Sequence, residues 1–211
     1  MFDKLLGRLG TSRPAPRRLL NVGGNSHEIP LPAHFEHWLR DLLDIDPASN
    51  AELVCDAREM TRLAPATYDA IYCSHNLEHY LHHDARRVLT GFLHVLKDDG
   101  FADIRVPDVA LVMRHCVELD LDLDDTLFES PAGPIMVRDV LWGFGRQMER
   151  SGTDYYAHKT GFSRVSLTRF LEAAGFTEVF LDAGGAETFE VRAIAFKRGG
   201  ANPHKAMLGI A

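Results

Sequence analysis

The chain has 211 residues, 45% of them hydrophobic and 25% charged, the makeup of a globular protein large enough for one sizeable core and cramped for two. Its formal charge of −7 is at odds with the basic surface of a non-specific nucleic-acid binder. No run approaches the ~20 apolar residues of a membrane span.

The N-terminal stretch is basic but lacks the apolar run of a signal peptide. Residues 2–9 read as a frayed amphipathic end, and residues 11–18 (TSRPAPRR) as a linker closing an N-terminal tail of 1–18. The run 19–24 (LLNVGG) reads as a buried parallel strand entering a tight turn. Prolines 30 and 32 forbid a long regular helix across 27–38. Strands follow at 40–46, 51–56 and 68–74. The spacing of Val88, Phe92, Val95 and Leu96 predicts a helix over 84–100, with Asp84 as N-cap and Gly100 as stop. A fifth strand covers 101–108, ended by Pro107.

The pattern then loosens. Residues 109–160 read as an insertion or lid, with a helical start, an exposed acid-rich LDLDLDD stretch and a short helix between Pro and Gly residues. Regularity returns with a helix over 166–176, Ser166 as N-cap and Gly175 as terminator. Strands at 177–183 and 189–198, joined by the DAGGAET turn, predict an antiparallel hairpin with one antiparallel strand at the sheet edge. Residues 199–211 read as a tail, leaving 19–198 as the domain. Strands alternating with helices predict an α/β fold with a mostly parallel sheet covered on both faces.

Three cysteines without CxxC spacing suit a reducing, cytoplasmic setting; Cys55 and Cys73 sit in apolar runs as small buried side chains, and Cys116 completes the set. The chemistry-bearing positions fall at strand ends. Gly23 and Gly24 let the backbone pass close to a ligand, or serve an ordinary turn. Asp44, 20 residues after Gly24, stands where an acid holds a ribose diol, unless it only starts the turn at Pro47. Asp56 ends the third strand, where its carboxylate accepts from an adenine amine. Ser74 ends the fourth. In an open parallel sheet the ligand sits beyond such ends.

The stretches LLNVGGN, LLDIDP, LVCDAREM, YDAIYCSHNLEHY, VLKDDGFADIRVPD and HKTGFSRVSLTRFLEAAGF, spread over 19–197, resemble the class I S-adenosylmethionine-dependent methyltransferases. The resemblance implies a Rossmann-like, mostly parallel seven-stranded sheet with a C-terminal antiparallel hairpin and helices on both faces. It implies S-adenosylmethionine as cofactor, with Gly23, Gly24 and Asn25 along its methionine portion. It puts Asp44 on the ribose, Ile45 on the adenine ring, Asp56 and Ala57 at the adenine amine, and Ser74 and His75 near the sulfonium. The chain departs from the family at Asn21, where an acid is usual, in its missing third glycine, and in the irregular segment after Gly24.

His79 is the candidate general base, since an imidazole titrates near neutrality; a structural role fits the same segment. His75, His79, His82 and His83 crowd within nine residues, but no recognised metal motif surrounds them, and no metal is expected. Tyr155, Tyr156, His158 and Lys159 either grip a polar acceptor or anchor the lid, with Trp142 and Phe144 as its apolar side. The reading is methyl transfer to a small-molecule or glycan-like acceptor. The alternatives are a nicotinamide-dependent oxidoreductase, which calls for a fuller glycine fingerprint, and a non-catalytic binding protein of the same fold.

Overall fold

The computed structural model describes residues 15–131, 133–182 and 188–210. The amphipathic end at 2–9, the start of the 11–18 linker and most of the DAGGAET turn lie outside the described residues.

The first half lays down strands β1 (Arg18–Val22), β2 (Leu39–Asp44), β3 (Leu53–Val54) and β4 (Tyr68–Ser74), then helix α1 (His82–Val95) and the long strand β5 (Leu96–Pro107). The insertion holds α2 (Val109–Leu119), the hairpin β6 (Thr126–Ser130) and β7 (Gly133–Met136), α3 (Val137–Trp142) and α4 (Gly145–Ser151). Helix α5 (Arg164–Ala174) and the strands β8 (Glu178–Asp182) and β9 (Glu190–Phe196) close the domain. The seven-stranded order is β3-β2-β1-β4-β5-β9-β8, and the strand order reverses between β1 and β4. That reversal opens a crevice at the carboxyl ends of β1 and β4, the place where such sheets bind ligands.

The first five strands run parallel, and β9 runs antiparallel to both β5 and β8. The antiparallel strand is therefore next to the edge, not at it. Val191, Ala193, Ile194, Ala195 and Phe196 are all buried, so β9 gains from neighbours on both sides, while the half-exposed β8 tolerates the rim.

The two main helices begin or end elsewhere than the sequence expectation had them. Helix α1 ends at Val95, because Leu96 turns extended and pairs with Tyr68, so the LKDDG stretch is strand, not helix end. Asp84 lies inside its first turn, bound to Arg58 and Arg87, and Leu81 stands at the N-cap. Helix α5 begins at Arg164 with Ser163 as cap; Ser166 sits three residues on and returns a bond to the Ser163 amide, a reciprocal capping box. Gly175 does terminate it, at φ +117°.

The two sheet faces are covered differently. On one, α1 and α5 bury Val88, Leu89, Phe92, Leu167 and Leu171 against Leu20, Ile71, Ile104 and Ala193. On the other, Leu19, Ala70, Phe101 and Phe196 meet two short 3-10 helices, Ala33–Phe35 and Ala206–Leu208. The segment expected as a tail thus packs: Met207, Leu208 and Ile210 lie on the aromatic cluster, and His204 is buried against Trp38 and Phe101. Alternation along β5 sends Phe101 and Asp103 to this face and Ala102 and Ile104 to the helical one. The insertion packs a small core of its own around Val112, Leu127, Val137 and Val140. Among the described residues no helix is long and apolar enough to cross a membrane.

Candidate active site

β1 ends at Val22, and the chain turns at Gly23 with φ +79°, donating its N–H to Leu43 O at 2.8 Å. A Cβ at Gly23 would lie 2.5 Å from Asn76 Nδ2, and one at Gly24 would run into the Asn21 amide. Both positions therefore need glycine, and the turn stays thin enough for a ligand to approach its backbone. Asn21 is buried and packs under this turn.

A cavity of about 340 Å³ opens beyond these strand ends. Gly23, Asn25, Asp44, Ile45, His75 and His79 line it, joined by Asn76 and by Tyr155 and Tyr156 of the lid. A neighbouring cavity shares Ile45, Asn76, His79 and Tyr155 with it, so the two form one cleft that continues toward Arg58 and Lys159. Asp44 accepts from Asp46 N at 2.8 Å, and burial raises its carboxyl above the ordinary aspartate range.

The structure brings six of the ten sequence candidates into the cleft wall and leaves Gly24, Asp56, Ala57 and Ser74 outside it. Asp56 is committed elsewhere. Burial raises its carboxyl, but the Arg58 guanidinium, 2.6 Å away, outweighs that and holds it low. It also caps the 3-10 helix Ala57–Arg62 through Arg58 N, and Ala57 is buried. Ser74 ends its strand paired with Arg105. Cys73 is fully buried, and burial pushes its thiol well up, away from reactivity.

The loop after β4 concentrates charge. His75 has φ +49°, a conformation that ordinary side chains rarely hold. Its Nε2 stands 3.1 Å from Glu190 Oε2 and its Nδ1 3.5 Å from Glu78 Oε1. Burial alone would lower this imidazole; the two carboxylates outweigh it and push it up to about 10. Glu78 is 1% exposed, with neither carboxylate oxygen hydrogen-bonded. Burial raises it, and the imidazoles of His75, His79 and His158 bring it below the usual range.

His79 faces two carbonyl oxygens, Ala157 O from Nδ1 and His75 O from Nε2, each at 3.1 Å. Carbonyls only accept, so both ring nitrogens are turned to main-chain acceptors. The four-histidine metal cluster does not assemble. His82 lies against Phe170 and His83 points into solvent. Glu78, His79 and His158 do bring ligand atoms within 4.8 Å of one another, but His79 has no uncommitted nitrogen for an ion.

The methyltransferase-domain family matches residues 1–179. The chain belongs to that family. The methyltransferase also resembles solved structures in fold. A SAM-dependent methyltransferase from Archaeoglobus fulgidus is 16% identical with a TM-score of 0.52, over 87% of each chain. A protein from Pyrococcus horikoshii OT3 is 10% identical at 0.54, over 87% of this chain and 82% of that one. The 1,6-didemethyltoxoflavin-N1-methyltransferase of Burkholderia thailandensis, solved with 1,6-didemethyltoxoflavin and S-adenosylhomocysteine bound, is 17% identical at 0.50, over 87% and 72%. No curated protein sequence matches the chain.

Two partners of the methyltransferase site were not legible as a motif. Asn76 follows His75 directly and bears a buried, unpartnered Oδ1. Glu190 reaches His75 from 115 residues away, across the sheet.

Proposed function

We propose that this enzyme transfers the methyl group of S-adenosylmethionine to a small acceptor, with the cofactor in the cleft beyond β1, β2 and β4. The observation that carries the reading is the convergence there of the thin Gly23 turn, Asp44, Ile45 and Asn76. These residues fit the cofactor. Asp44 has a second carboxylate oxygen for a ribose diol, and Ile45 offers an apolar edge to a purine. Tyr155 and Tyr156 line the cleft from the insertion.

The bound cofactor supplies an electrophilic methyl carbon. The chain's part is to align the acceptor with that carbon and to keep the site dry. Calorimetric titration with S-adenosylmethionine, S-adenosylhomocysteine and NADH tests the assignment. Binding of both adenosyl ligands and not NADH is the expected result. Affinity for NADH alone would replace this reading with the oxidoreductase one. Asp44→Ala should weaken the adenosyl ligands by about tenfold or more, as expected for two lost charge-assisted hydrogen bonds.

A further inference from the structure

A second cavity, of about 330 Å³, lies between the sheet and the insertion. Pro107, Phe128, Ile135, Val140 and Phe144 form its apolar walls, and His75, Ser130, Asp139, His158 and Thr188 complete the lining. His75 also lines the cofactor cleft, so the two spaces meet at its ring. We propose that this cavity is the acceptor site, that it takes a planar aromatic compound bearing a reactive hydroxyl, and that His158 is the base that removes the hydroxyl proton. The inference rests on the methyl-transfer reading and names the substrate class for it.

The walls decide the class. Two phenyl rings and three aliphatic side chains stabilise a flat apolar body, by roughly 25 cal/mol per Å² removed from water. A sugar carries hydroxyls all round its ring, so some would lie against these five apolar walls instead of the polar lining, and each hydroxyl left without a partner costs about 1–3 kcal/mol.

The base follows from hydrogen-bond roles. His158 Nδ1 lies 2.8 Å from Val140 O, so that nitrogen carries the proton and Nε2 keeps its lone pair. Nε2 makes no hydrogen bond among the described residues, and its nearest charged neighbour is Glu78 Oε1 at 4.0 Å. Burial holds the imidazole neutral below its ordinary value. Glu78, buried and without a hydrogen bond, then stabilises the imidazolium once a proton arrives. The strap carrying His158 is docked from both sides. His158 N donates to Trp142 O and Lys159 N to Glu78 O. His79 is excluded from the role by its two carbonyl contacts.

In the reaction, the acceptor oxygen bonds to the methyl carbon as the carbon–sulfur bond breaks and its electron pair goes to sulfur. The hydroxyl proton passes to His158 Nε2. The products are the methyl ether and the neutral thioether, and the charge lost at sulfur reappears on the imidazolium.

The probe is 2-naphthol, titrated into the full chain with and without S-adenosylhomocysteine, with methyl α-glucopyranoside as the sugar control. Naphthol should bind, and the sugar should not. Ile135→Asp should weaken naphthol by about tenfold or more while S-adenosylhomocysteine binds as before, and Phe144→Ala should weaken it in the same direction. With S-adenosylmethionine the product should be 2-methoxynaphthalene. His158→Gln should keep naphthol affinity yet lower turnover on the order of a hundredfold. Its rate should then climb with pH through naphthol ionisation, whereas wild type levels off once His158 is neutral. The charged groups facing His158 in that profile are Glu78, His75 and His79 from the loop after β4 and Asp139 from α3. Naphthol binding untouched by both wall variants, methylation of the sugar instead, or a wild-type profile in His158→Gln would each overturn the proposal. Loss of adenosyl binding in the wild-type chain would instead strike the methyl-transfer reading, since naphthol binding is scored without cofactor as well.

Discussion

The two faces of the sheet solve the same burial problem by different means. On the helical face, α1 and α5 each present one apolar stripe, and side chains of both sheet and helix are wholly buried. On the opposite face, no long helix follows β1. Two single-turn segments, one after β1 and one at the C-terminal end, cover a patch of aromatic rings. Phe35 stacks on Phe101 with centroids 6.0 Å apart, and Trp38 meets Phe101 edge-on. The patch is held by polar bonds as much as by packing. Asp103, fully buried, takes two bonds from Arg192 at 2.9 and 2.8 Å and lies 3.1 Å from His34 Nε2. Short irregular segments cannot satisfy their own backbone and need such anchors, whereas a helix carries its hydrogen bonds within itself.

The contrast is sharpest if each face loses its central group. Phe92→Ala opens a cavity under α1 and should cost about 3–5 kcal/mol in urea-melt stability. Asp103→Ala on the other face should cost about 3 kcal/mol or more, because it leaves the Arg192 charge buried without its partner. An equal loss from Asp103→Asn would show that the charge, not the packing, holds that face.

Removing residues 204–211 uncovers the Phe101 patch and should cost about 2 kcal/mol, near the value of one buried apolar side chain, with adenosyl binding retained. An undiminished melt would mean that the aromatic face needs no cover. Ser163→Ala removes one cap from α5 and should cost about 1 kcal/mol.

The faces should also part in acid. Burial raises Asp103, but His34 and Arg192 outweigh it and hold the carboxyl below its unfolded value. Its stability contribution is therefore present above the unfolded carboxylate range and is lost as pH falls through the folded one. Asp103→Asn should flatten that acid limb. His75 shifts the other way. Its contribution is full below the unfolded histidine value and disappears as pH rises through about 10. Glu190→Gln should bring that alkaline loss to lower pH.

Much of the helical face was legible along the chain. The 3.6-residue spacing of Val88, Phe92 and Val95 marks α1, and Gly175 marks the end of α5. The boundary at Leu96 was not, because an apolar residue continues a helix or opens a strand equally well until Tyr68 pairs with it. The cover over the aromatic face had no periodicity to read, and residues 204–210 look like a tail until Phe101 and Trp38 are set beneath them. In the site, Gly23 and Asp44 were visible as strand ends, and Ile45 came with the family resemblance. His79 stood out by residue type, but both its ring nitrogens face main-chain carbonyls, whereas His158, read as gripping an acceptor or anchoring the lid, has only Nδ1 so engaged.

By itself the sequence determined the order of the sheet strands and of helices α1 and α5, the turn at Gly23 and the methyltransferase family. Those depend on local periodicity, on turn chemistry and on residues adjacent in the chain. Only the tertiary structure decided which histidine keeps a free nitrogen, that Glu190 pins His75, and that Asp56 belongs to Arg58. A side chain's proton and its partners depend on what lies within a few ångströms, and here those neighbours come from up to 115 residues away.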